Sequence, residues 1–126
     1  MKPSLLLTAS AIYLALIGIL FQVDPAAVFG LANASALLIT NLRIPLSLLL
    51  AIAVINWFAR NSDASSARDA IFIGNTVAFA FVAIVDFLIT IIPGAAPSGW
   101  VFVVVDLLFV ISFFVIGRAN MSTVTK

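Results

Sequence analysis

Apolar positions along this sequence fall into four long runs, and the breaks between them carry recognisable stop signals. The first run covers about 4–23 and ends at Asp24-Pro25, which reads as an N-cap followed by proline at a first helical position. A short helix is therefore expected over 25–40, lying in the membrane interface or dipping part way in, with Val28, Leu31, Leu38 and Ile39 recurring at helical spacing. Its alternative is a single bent helix continuing into the next run. Pro45 favours a break near 41–45, because proline disfavours helical geometry at Ile44 and supplies no donor to the carbonyl of Asn41. A continuous helix over 25–59 would also be about 52 Å long, well beyond a bilayer core of about 30 Å.

The second run then spans 43–59, with Trp57 and Arg60 at its interfacial end. The polar stretch RNSDASSAR follows, and Ser66 with Asp69 resembles a capping box opening the third run, 69–92. Pro93-Gly94 stops it, a short uncharged connector follows, and the fourth run covers 100–117 before Gly117-Arg118. A disordered tail is expected over 119–126.

Composition names the solvent. Apolar residues make up 64% of the chain and charged residues 9%, against about 45–50% and about 25% in soluble domains. A soluble domain this small buries too little of its chain to hide that much apolar surface. The fold class expected is all-α: an integral membrane four-helix bundle, one domain, with a short extra helix between the first and second spans. Lys2 followed by an apolar stretch has the outline of a signal peptide, but the stretch is of spanning length, longer than a signal core of about 7–15 residues.

Charge sets an expected orientation. With four crossings, Lys2, Arg60, Arg68, Arg118 and Lys126 share one face, and Arg43 alone lies on the other. Basic residues favour the cytoplasm, so the expectation is a multi-pass protein of the cell membrane with both termini cytoplasmic.

Candidate chemistry is sparse. Cysteine and histidine are absent, which removes disulfides, thiol catalysis, histidine bases and the usual zinc and haem ligands. No metal or cofactor is expected, and six scattered basic residues make no nucleic-acid footprint. Ionisable groups at membrane depth are costly, so Asp86 and Asp106 become the leading site candidates. Each lies about 9–10 Å below the outer boundary, counted at 1.5 Å per residue from opposite chain directions. Gln22, Asn41 and Arg43 gather at the same level, and Asn75, Asp86 and Thr90 fall on one stripe of the third span.

An outward-facing polar pocket over a nearly apolar inner half is therefore expected, with Arg43 facing both acids and Asn41, Thr90 and Gln22 beside them. Its structural reading is an interhelical bridge that fixes packing. Its functional reading is a site for a ligand headgroup, a cation or a proton. One guanidinium cannot balance two buried carboxylates, so a further positive charge is called for.

The stretches ASAIYLALIGILFQVDPAAVFG and TNLRIPLSLLLAIAVINW place a small residue, Tyr13, Gly18, an aromatic and Pro25, then Arg43 near the start of a span, in a pattern that resembles DoxX-like proteins and related four-helix families. The resemblance implies a small bundle, sometimes a subunit of quinone-linked membrane redox systems, and carries over no catalytic residue. Three function classes follow. The first is an accessory or structural subunit of a larger membrane complex, with other membrane subunits as partners. The second is a protein that binds a lipid or quinone in the outer pocket. The third is a proton-linked small transporter, but the small multidrug-resistance family uses a glutamate in its first helix, where this chain has no acid. An enzyme is not expected, since no histidine or lysine base lies within the spans.

The topology is open to direct test, since the chain has no native thiol. In intact cells, Ser65→Cys should be labelled only from the cytoplasm and Ala96→Cys only from outside. Labelling of both from one face would refute the topology.

Overall fold

The computed structural model describes residues 2–29 and 35–121. Every regular element among them is helical: α1 (Pro3–Val23), α2 (Pro25–Phe29), α3 (Ala36–Ala59), α4 (Ser66–Thr90) and α5 (Gly99–Asn120). Three of these, α1, α4 and α5, are long and apolar enough to cross a membrane by length and composition. In α3 the continuously apolar part is the shorter Ser47–Ala59.

The helix starts follow local chemistry. Asp24 closes α1 and opens α2, its Oδ1 accepting from the Ala27 amide at 3.0 Å. Ser35 caps α3 and Ser65 caps α4, each hydroxyl oxygen accepting from the amide three residues on, at 3.2 Å. The cap of α4 thus falls one residue earlier than Ser66, and Asp69 supplies an acid to the first turn instead of closing a capping box.

The largest departures from the expected boundaries concern the short helix and α3. The short helix is described over Pro25–Phe29, with 30–34 outside the described residues, and α3 begins at Ala36, inside the stretch expected for the short helix, and runs unbroken through Pro45. Side chains sustain the backbone there: Gln22 Nε2 donates to the Arg43 carbonyl at 2.9 Å, and Ser47 Oγ donates to that of Ile44 at 2.6 Å. Both bonds tie down carbonyls close to Pro45, and neither replaces the amide donor that Asn41 loses. The expected apolar position Leu31 and the last part of the expected tail, 122–126, lie outside the described residues, while residues 119 and 120 belong to α5.

Packing divides the long helices into two antiparallel pairs. α1 lies along α3, and α4 lies along α5, with α1 also touching α5. One end of the α4–α5 pair is marked by Arg68, whose Nη2 donates to the Asn120 carbonyl at 3.2 Å. The opposite end is marked by Thr90 and Gly99. The core is aromatic at mid-height. Tyr13, Phe79, Phe109 and Phe113 stack in succession, with centroids 5.2 Å apart for Tyr13–Phe109, 4.7 Å for Phe79–Phe109 and 5.7 Å for Phe79–Phe113. Outward positions such as Leu16, Phe58, Phe81 and Leu108 stand exposed.

Glycine allows the closest helix approaches. A Cβ at Gly18 would meet Leu50 of α3 at 2.8 Å, and one at Gly99 would collide with Thr90 Oγ1 and lie 3.2 Å from its Cβ. Gly18 of α1 therefore serves packing within the chain. Gly74, by contrast, has open space around it. Gly99→Ala should lower stability by about 1–3 kcal/mol, because overpacking forces a stiff β-branched neighbour to shift. Gly74→Ala should raise it by about 0.5–1 kcal/mol, through helix propensity alone. Thermal melts in detergent read both, and adding Thr90→Ala should recover most of the loss at Gly99.

Candidate functional site

Polar side chains enter the interior at two levels, one on each side of the aromatic stack. Nearer the Arg68 end, Asn56 of α3 and Asn75 of α4 face each other. Asn56 Nδ2 donates to Asn75 Oδ1 at 2.7 Å, and Asn75 Nδ2 donates back to Asn56 Oδ1 at 2.8 Å. Asn56 Nδ2 also donates to Ser10 Oγ of α1 at 3.0 Å, while Asn75 Nδ2 reaches the Ile71 carbonyl at 2.8 Å. Ser10 in turn donates to the Leu7 carbonyl at 3.0 Å. All three residues are buried, and each amide uses both its oxygen and its nitrogen. A network this complete joins three helices. The expectation of a nearly apolar half at this end is thus overturned.

The second level lies nearer the Thr90–Gly99 end. Asp86 of α4 and Asp106 of α5 are 6% and 1% exposed. They lie close enough to interact with each other and with the Tyr13 ring hydroxyl of α1. At Asp106, Oδ1 and Oδ2 are both buried, and neither receives a hydrogen bond from a donor. Helix periodicity places the acids together. Phe72, Asn75, Phe79, Ala83 and Asp86 form the buried stripe of α4, and Gly99, Val103, Asp106, Phe113 and Ile116 that of α5. Facing stripes on an antiparallel pair bring the two aspartates to one depth.

Arg43 does not join them, contrary to expectation. It is exposed, and its Nη2 donates to the Val23 carbonyl at 3.3 Å. The reason is the pairing of helices: α3 lies along α1, so Arg43 emerges beside the end of α1 and not beside α5. Gln22 belongs with Arg43, bonded to its carbonyl. Asn41 is exposed. Thr90 is half-buried, packed against Gly99 one helical turn beyond Asp86. The six expected residues therefore divide into an acid pair flanked by Thr90, and a separate polar cluster of Gln22 and Arg43 at the α1–α3 junction, with Asn41 exposed nearby on α3.

Sequence reasoning missed Ser10 and Tyr13 as members of these levels. Both lie on the α1 face that repeats Leu6, Ser10, Leu14 and Gly18, with Tyr13 at its edge, and that repeat was available as a signal.

The expected outward pocket around the acids also differs from what is observed. Four of the best-formed cavities or clefts among the described residues are lined by neither acid. One cleft of about 370 Å³ lies between α4 and α5 towards the Arg68 end, where Phe72, Val77, Phe113 and Phe114 line it together with Asp69 and Arg118. Among the described residues no group of three or more acidic side chains is placed to hold a metal ion.

No family model matches the chain, and no curated protein or solved structure matches it either. The DoxX-like resemblance stands on the quoted stretches alone.

Removing one amide of the reciprocal pair strands the other. Asn75→Ala should cost about 1–2 kcal/mol of stability. Asn56→Leu combined with Asn75→Leu should cost less than the two single changes added together, because no buried amide is then left without a partner. Thermal melts of the three variants check this. Additive losses would contradict the pairing.

Proposed function

We propose that this chain is a four-span protein of the cell membrane, with both termini in the cytoplasm, that serves as a non-catalytic accessory subunit of a larger membrane assembly. The observation that carries the reading is the closure of its interior. Asp106, the most deeply buried acid, is 1% exposed, and none of the four cavities is lined by it. None of these four gives a substrate a route to the one group whose chemistry stands out. Ser10, Asn56 and Asn75 are engaged in bonds between or within helices, the pattern of a scaffold and not of a reaction centre.

Length supports a fourth span. α3 has 24 residues, about 36 Å at 1.5 Å per residue, although its continuously apolar part is shorter. Its first turns carry Thr40, Asn41 and Arg43, groups suited to an interface. The exterior supports the partner role. Large apolar side chains stand exposed on all four long helices, a surface that lipid or other spanning helices would cover.

A second reading has one observation in its favour. The α4–α5 cleft is apolar along its walls and ends near Arg118, a shape that suits an amphiphile such as a lipid or a quinone.

Gentle extraction from the native membrane separates the two. The accessory reading predicts that the chain migrates in a particle larger than itself, containing other membrane proteins in fixed ratio. A chain that purifies without partner proteins but with stoichiometric lipid or quinone would contradict it and support the second reading.

A further inference from the structure

Two carboxyl groups meet in the interior with no cation beside them. On α4 and α5 the remaining charged residues, Arg68, Asp69 and Arg118, lie towards the opposite end of the pair. α1 carries no charged residue, and the one on α3, Arg43, is exposed and turned to the Val23 carbonyl. From the packed elements, the titratable groups that face the site are therefore Asp86, Asp106 and Tyr13. Two full negative charges here would repel by about 4 kcal/mol at 4 Å and an effective dielectric of about 20, and burial would add a further cost. A pair held this way needs a positive charge between its members.

Closure decides which charge. A metal cation prefers about six oxygen ligands, and no group of three or more acidic side chains is assembled here among the described residues. A proton needs two oxygens and no cavity.

We propose that Asp86 and Asp106 form a proton-binding site, with one proton held between their carboxyl groups and the Tyr13 hydroxyl directed at the negative charge that remains. The unpartnered Asp106 oxygens are the acceptors for both. Binding is the simple addition of a proton to a pair that would otherwise carry two charges, and it leaves one charge shared by two side chains. The site goes beyond the accessory role proposed above and does not depend on it.

Infrared spectroscopy of the full chain in lipid nanodiscs tests the proposal, because all five acidic side chains are aspartates: Asp24, Asp63, Asp69, Asp86 and Asp106. Labelling with 4-13C-aspartate marks every acidic side chain. The wild type should show an isotope-shifted protonated-carboxyl band at neutral pH that moves in heavy water. Asp86→Asn and Asp106→Asn should each shift or abolish it. If either variant fails to fold, the surface changes Asp24→Asn, Asp63→Asn and Asp69→Asn identify the band by elimination, and it should survive all three. A wild type without such a band overturns the proposal, as does a band lost in one of the surface variants. A band abolished by sodium chloride but kept in choline chloride overturns it too, since the pair would then take a metal cation.

Discussion

Two amide hydrogen bonds between Asn56 and Asn75 join the α1–α3 pair to the α4–α5 pair, and most of the interior is arranged around that junction. An amide buried among apolar side chains has no water to turn to, so its partner must come from a neighbouring helix in one register. With Asn56 and Asn75 in register, Ser10 is drawn in from α1, and the aromatic stack of Phe79, Phe109 and Phe113 follows on the next turns. Apolar contacts alone are less selective, because a leucine packs as well against lipid as against another leucine. The junction therefore acts as the register key of the assembly.

The acid pair lies on the other side of the aromatics and follows the opposite logic. Each Asn is fully engaged, whereas Asp106 has two oxygens without partners. Natural interiors keep such groups rarely, and mostly where they have a role beyond holding the fold. The register fixed by the amides also fixes the acids, because both levels sit on the same stripe of α4, from Phe72 to Asp86. A slip of one turn there would part Asp86 from Asp106 as well as Asn56 from Asn75.

Helical periodicity made much of this legible in the sequence. The stripe through Asn75, Ala83 and Asp86 could be read from spacing, and so could the matched depth of Asp86 and Asp106, because both follow from 3.6 residues per turn. Which helices lie side by side could not be read. That ignorance misplaced Arg43, which was assigned to the acids by depth although α3 runs along α1. Local signals failed where tertiary contacts override them. Pro45 reads as a break, but α3 runs unbroken through it, with Gln22 of α1 donating to the carbonyl of Arg43, twenty-one residues on. Asn56 reads from sequence as a helix–helix hydrogen bond, but its partners Ser10 and Asn75 were missed for a related reason: ordinary polar residues acquire meaning only when three helices converge.

Whether water reaches the acid pair is the point on which a closed scaffold and an open binding pocket part. Thiol labelling measures it directly in a chain with no cysteine of its own. Asp106→Cys, in membranes, should resist a small water-soluble thiol reagent, while Ser98→Cys, exposed in the connector before α5, should react quickly. Reaction of Asp106→Cys at a rate comparable to that of Ser98→Cys would contradict the account, because the interior would then be open to water and the acids would line a pocket.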